Sequence, residues 1–356
     1  MKTKAAALFL LGAACLALTA ALPGSAAAKP KFRIAWSIYV GWMPWDYAAS
    51  SGILKKWADK NGIEIELVKM DYIPSVEAYV AKQVDGVAMT NMETLDMPAA
   101  SGIDSTVLIV GDYSNGNDAI LTRDKIGVKD LKGKRISLVE LSVSHYLLAR
   151  ALEMNGIKES EVQIVNTSDS DIAPVFLSSK DQKVVVTWNP MVMQIEQTPG
   201  ISKVFTSADT PGEILDLMVV RTDVLEKNPG LGKALVGAWY EVMALMSGKG
   251  PESKKALESM AKAANCSLVE LEGQLKTTMM YYTPQSAVEF TRSDELKKKM
   301  DFVRQFCFAH GLLGENAKSV DVVGIKYPDG SVQGDKNNVK MRFDTTFMQM
   351  AADGKL

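Results

Sequence analysis

Residues 32–70, FRIAWSIYVGWMPWDYAASSGILKKWADKNGIEIELVKM, decide the fold. Phe32–Trp36 is a short apolar run that reads as a strand, Trp45–Asn61 carries apolar residues at helical spacing and stops at Gly62, and Ile63–Met70 reads as a second strand. Strand, helix and strand in this order predict a βαβ unit and a parallel sheet. The loop between the first strand and the helix holds Trp36, Trp42, Trp45 and Tyr47 around Gly41, Pro44 and Asp46. Flat rings in a βα loop are placed to stack on a flat or cationic solute.

Downstream the pattern repeats. A helix from about Ser75, a strand at Gly86–Met89, a helix near Asn91 and a buried strand at Thr106–Val110 complete a first unit. After the loop DYSNGND (residues 112–118) a second unit follows: strands near Ile120–Thr122, Val162–Val165 and Lys183–Thr187, with helices at Ser144–Asn155, from Ser170, and at Asn189-Pro190. The strand Asp216–Val220 then returns to the first unit, and long helices such as Leu231–Met246 and Asp294–His310 close the chain. The expected class is therefore α/β with two lobes, two crossovers and a central cleft. Lobe one is expected at residues 29–115 and 217–356, with a C-terminal helical extension, and lobe two at 116–216.

Upstream, Lys2 and Lys4 precede the uncharged apolar stretch Ala5–Leu22, and Pro23-Gly24 breaks it before Ser25-Ala26-Ala27-Ala28. This is the pattern of a secretory signal cleaved after Ala28. An uncleaved anchor is the alternative, since 18 residues just reach the length of a span. Gly12, rather than an aliphatic residue, stands three before Cys15, which removes a lipoprotein reading. The remaining 328 residues suffice for two domains and carry a formal charge of −4. No basic run invites nucleic acid, and no second apolar stretch is long enough to span a bilayer. Cys266 and Cys307 remain after cleavage and could pair in an oxidising compartment.

The order of signal, strand, aromatic loop and helix, followed by DGVAMTN, GVKDLKGKRIS, SVSHYLLARAL and VVVTWNP, resembles periplasmic solute-binding proteins of ABC transporters in the nitrate/taurine/alkanesulfonate-like group. The resemblance runs over roughly residues 31–250 and implies the type II periplasmic-binding-protein fold. It also implies a periplasmic monomer that delivers a small solute to an ABC permease, with no cofactor. WSIYVGWMPWDYA, TNMETLDMPAA and VGDYSNGNDAI are similar to the urea-type binding proteins encoded near urea carboxylase, which implies urea or guanidine as solute. Residues 285–356 carry no motif of the group.

In such a sheet the solute sits at the carboxyl ends of the strands, in the loops Ser37–Asp46, Thr90–Glu93, Asp112–Asp118, Glu140–His145 and Thr187–Asn189 and near Asp216. Lys and Arg are absent from 34–54, 84–122, 184–202 and 204–220, whereas Asp46, Glu93, Asp112, Asp118, Glu140 and Asp216 fall in or beside these loops. A sulfonate or nitrate would have only helix N-termini at Asn91, Ser144 and Asn189. Guanidinium fits better, because its fork of N–H donors pairs with carboxylate and its plane stacks on indole. Urea would instead use amides such as Asn91, Asn117 and Asn189.

The candidate solute-binding residues are thus Trp42, Trp45, Asp46, Asn91, Glu93, Asn117, Asp118, Glu140, His145, Trp188, Asn189 and Asp216. Each has an ordinary alternative: core packing for a Trp, a helix cap or first-turn acid for Asp46, Glu93, Asp118 and Glu140, and a helix-wall position for His145. Two rival functions stay open, an anion binder on the same scaffold and a two-lobed enzyme acting on a small nitrogenous metabolite. HExxH, paired CxxC, GxSxG and Walker motifs are absent from the sequence. No catalytic residue, metal or cofactor is expected.

Overall fold

The computed structural model describes residues 28–356, so the expected signal segment lies outside the described residues apart from Ala28. Fourteen strands follow in chain order: β1 Lys31–Trp36, β2 Glu64–Lys69, β3 Gly86–Thr90, β4 Ser105–Ser114, β5 Ala119–Arg123, β6 Arg135–Leu138, β7 Gln163–Asn166, β8 Val184–Thr187, β9 Ile201–Thr206, β10 Leu215–Arg221, β11 Thr278–Met280, β12 Gly324–Lys326, β13 Val332–Gln333 and β14 Val339–Phe343. Nine form one sheet in the order β13-β12-β14-β4-β10-β3-β1-β2, with β11 beside β4, and five form a second in the order β7-β6-β8-β5-β9. The first sheet centres lobe one and the second centres lobe two.

Both sheets are mixed, not parallel throughout. β1 pairs parallel with β2 and β3, but β10 runs antiparallel to both β3 and β4, and β5 runs antiparallel to both β8 and β9. The reason is the route of the chain. A strand that enters a lobe from the cleft starts at the carboxyl ends of its parallel neighbours, so it must run against them. β5 enters lobe two this way after β4 ends at Ser114, and β10 re-enters lobe one this way after β9. The two crossings are tied together where Ser114 and Ser207 hydroxyls meet at 2.6 Å and Gly116 N–H donates to Ser207 Oγ at 2.7 Å.

The central strands β3, β8 and β10 are buried along almost their whole length, because helices cover both faces of each sheet. The helix expected over Trp45–Asn61 is two helices, Met43–Ser50 and Ile53–Lys60, broken at Gly52, whose φ of 84° lies in the left-handed region. The start of the loop expected at Asp112–Asp118 is drawn into β4, which carries Asp112 to Ser114. The C-terminal segment, silent in motifs, adds β12, β13 and β14 to the edge of the first sheet. Cys266 and Cys307 are both free thiols. Among the described residues no helix is long and apolar enough to cross a membrane.

Candidate functional site

At the carboxyl ends of β1, β2 and β3, between the lobes, lies a cavity of about 20 Å³ lined by Tyr39, Trp42, Tyr72, Thr90, Asp118, Val143, Trp188, Ile214 and Asp216. It has room for one or two waters and hence for a solute of few heavy atoms. Four rings form a continuous wall. Tyr39 meets Trp42 edge-on at 5.1 Å, Trp42 lies tilted 5.5 Å from Tyr72, and Tyr72 meets Trp188 edge-on at 5.9 Å. Tyr39 and Trp42 come from lobe one and Trp188 from lobe two. Trp188 Nε1 donates to Ile38 O at 3.3 Å, so the wall also joins the lobes.

Three acids stand at this site. Asp112 and Asp216 are directly paired across β4 and β10, and Asp118 stands at the entry to β5. All three are buried. Asp112 Oδ1 accepts from Tyr39 Oη at 2.8 Å, and Asp118 Oδ2 accepts from Ser114 Oγ at 2.5 Å. Asp112 Oδ2 and Asp216 Oδ2 find no donor. Burial pushes Asp112 and Asp118 up to about 7, and burial with the Asp112 charge pushes Asp216 up further. Nothing basic lines the cavity. Gly41 permits the close fit of Tyr39 and Asp112, because a Cβ there would sit 2.4 Å from the Tyr39 ring and 2.6 Å from Asp112 Oδ2.

Behind the cavity Glu93 fixes the closed arrangement. Its Oε2 accepts from Tyr72 Oη at 2.7 Å and from the Thr90 hydroxyl, while Oε1 accepts from Val143 N–H at 3.0 Å. Val143 opens the lobe-two helix Val143–Met154. The N-terminus that an anionic solute would use is therefore already filled by a carboxylate of the protein itself. Tyr72 N–H adds a bond to Asp169 Oδ2 of lobe two at 3.2 Å.

Of the twelve expected residues, Trp42, Asp118, Trp188 and Asp216 line the cavity, and Glu93 stands directly behind it. The structure places the other seven away from the cavity lining. Trp45 points into the core against Trp239, ring centres 5.0 Å apart, because Pro44 starts a helix that turns it away from Trp42. Asp46 is a half-buried first-turn acid of that helix, and Glu140 is exposed. Asn91 braces the return crossing, donating to Glu213 O and accepting from Leu215 N–H, both at 3.0 Å. Asn117 accepts from Asn189 N–H at 3.0 Å, and Asn189 donates to Thr277 Oγ1 at 3.2 Å, so both pin loops without lining the cavity. His145 is held by Glu159 at 2.7 Å, off the cavity.

Tyr39, Tyr72, Thr90, Val143, Ile214 and the supporting Asp112 complete the site. Tyr72 was findable, since it follows β2 and the loop after every parallel strand is a candidate. Among the described residues, the group that could hold a metal ion is His145, Glu159 and His310, which lies away from the cavity and is built as hydrogen bonds.

The model of the family described as NMT1/THI5 like matches residues 55–247, more than half of the sequence. The chain belongs to that family. The taurine-binding periplasmic protein of Escherichia coli (strain K12) is 27% identical over 237 residues, 64% of this chain and 72% of that protein. The alkanesulfonate-binding protein SsuA from Xanthomonas axonopodis pv. citri, solved bound to MOPS, superposes with a TM-score of 0.67 at 16% identity, over 81% of this chain and 96% of that one. The periplasmic aliphatic sulphonate binding protein SsuA from Escherichia coli gives 0.65 at 17% identity, over 81% and 95%. At these identities the two structures show a shared fold, that of a two-domain α/β periplasmic binding protein.

Proposed function

We propose that this family member is the solute-capturing component of an ABC importer, exported to the periplasm, and that it takes a small planar cation of the guanidinium type. The periplasmic, transporter-linked part of the reading rests on the family and the named relatives. The solute rests on one observation, the buried Asp112, Asp118 and Asp216 around an aromatic wall with no basic side chain.

An uncompensated buried carboxylate costs several kcal/mol. A guanidinium would meet the carboxyls of Asp216 and Asp118, which line the cavity, with its N–H donors and stack on Trp42 or Trp188, each desolvated cation–π contact contributing about 2 kcal/mol. Taurine and alkanesulfonates, named for the relatives, would set a sulfonate against these acids, with the Val143 helix terminus taken by Glu93. Urea is the second reading, favoured by the upward shift of Asp112 and Asp216, since a carboxyl that keeps its proton can donate to a neutral carbonyl. Closure follows from binding across both lobes: solute selects the state in which Trp188 and Val143 meet Trp42 and Tyr72, and that state is delivered to the permease.

Calorimetry and thermal shift with guanidinium chloride, methylguanidine, urea, taurine and nitrate test the reading. Guanidinium is expected to bind tightest and taurine and nitrate not at all. Taurine or nitrate binding without a guanidinium response overturns the charge argument, and turnover of any solute favours an enzyme.

A further inference from the structure

The helix Asp294–Ala309 joins the lobes away from the solute cavity. In lobe one its Met300 sulfur accepts from Asn91 Nδ2 at 3.5 Å. Towards lobe two, Phe306 meets Tyr146 edge-on at 5.1 Å, and the Arg150 guanidinium lies 4.9 Å over the Phe302 ring. Just past its end, His310 Nε2 lies 2.6 Å from Glu159 Oε2, and Glu159 Oε1 lies 2.7 Å from His145 Nε2. His145 and Glu159 belong to lobe two and His310 to lobe one.

The neighbours of each ring fix where the protons sit. Leu141 N–H donates to His145 Nδ1 at 3.1 Å, so that nitrogen is the acceptor and the proton is on Nε2, facing Glu159. His310 Nδ1 faces Phe306 O at 2.9 Å while its Nε2 faces the carboxylate. A carbonyl and a carboxylate are both acceptors, so His310 donates from both nitrogens, which only an imidazolium does. A metal ion on His145 Nε2 would need the proton moved to Nδ1, where Leu141 N–H already points.

Few other charges reach this group. On the His145 helix, Arg150 is turned to Glu153 and to Glu213. On the Glu159 turn, Lys158 is exposed and Glu161 pairs with Lys132. On the helix from lobe one, Arg304 is held by Asp301 and Asp321, and Lys299 by Glu295. Glu140, before Leu141, is exposed.

We propose that His310, Glu159 and His145 form a proton-operated latch that holds the two lobes closed at a point separate from the solute. With His310 protonated, one carboxylate bridges both lobes through two N–H donors. Loss of the proton leaves His310 one donor for two acceptors and loosens the closed state. Hydrogen bonding to Glu159 raises His310 above its ordinary value, and the two histidines hold Glu159 down to about 2. The latch is therefore complete below pH 6.5 and is lost as pH rises through the raised value of His310.

The test uses ligand-free protein from pH 6 to 9, with imidazole nitrogen NMR and small-angle scattering. The chain holds two histidines, so single variants assign both rings. His310 is expected to be doubly protonated at pH 6 with a midpoint above 6.5, and His145 to stay protonated on Nε2. The radius of gyration is expected to grow as pH passes the His310 midpoint. Glu159→Gln lowers that midpoint and gives the larger radius already at pH 6, whereas His310→Lys, cationic across the range, keeps the smaller radius to pH 9. A radius independent of pH in the wild type overturns the latch. So does a pH response that survives undiminished in His310→Gln, which assigns it to the cavity acids.

Discussion

Two groups of carboxylates in this molecule behave in opposite ways. Asp112, Asp118 and Asp216 are buried among rings and one another, and burial drives them up, to about 7 for the first two. Glu159, half-buried between His145 and His310, is driven down to about 2. The chemistry of the group is the same in both places. What differs is whether the protein supplies the cation itself, as it does at Glu159, or supplies none; on the proposed reading a solute fills that position. A finished ion pair is a structural element, whereas an unfinished one in a closed, aromatic space is a recognition element.

The largest break in the comparison comes from Asp216→Asn. Removing one partner of a buried charge pair costs about 2–5 kcal/mol, so guanidinium affinity in calorimetry should fall at least 30-fold. The same substitution should raise the melting temperature of the ligand-free protein, because it removes a repelling acid. Next, Trp42→Leu should weaken guanidinium by roughly 30-fold, the loss of one cation–π contact of about 2 kcal/mol. Trp45→Leu should leave affinity within about twofold while lowering stability by a few kcal/mol, since its ring is core.

A pH series sharpens the contrast. Cation binding needs ionised Asp112 and Asp118, so affinity should rise as pH goes from 6 to 8, by up to about tenfold per unit and per proton released. The ligand-free protein moves the other way. These carboxyls hold protons in the folded state up to about pH 7 but release them near 4 when unfolded, so they destabilise the fold progressively from about pH 4 to 7. Differential scanning calorimetry across that range reads the trend. The smallest effect belongs to Glu159→Gln, on the order of 1 kcal/mol at pH 6 for a partly exposed pair, measured as a shift in the urea midpoint.

The acids of the site were legible because charge is a property of single positions. A run of loops holding Asp112, Asp118 and Asp216 without Lys or Arg keeps its meaning whatever the side-chain directions. The rings were not legible in this way. Trp42 and Trp45 stand three residues apart in one loop, yet one lines the cavity and the other meets Trp239, nearly two hundred residues later in the chain. Only the start of a helix at Met43 separates them. Asp46 takes the first-turn role that was its alternative, Glu140 stands exposed before a helix capped by Ser142, and Glu93 combines a first-turn acid with a bridge to Val143. The C-terminal strands escaped because they are two to five residues long and join the sheet beside β4, a strand more than two hundred residues earlier.

The cross-strand pairing of Asp112 with Asp216 also has a mechanical side. Asp112 lies on the strand that leaves lobe one, Asp118 where the chain enters lobe two, and Asp216 on the strand that comes back. The three acids are thus mounted on the two crossings themselves, where their mutual repulsion bears on the pivot. On the proposed reading a cationic solute would act as the pin of the hinge, so that stiffness of the whole molecule would report occupancy at its centre.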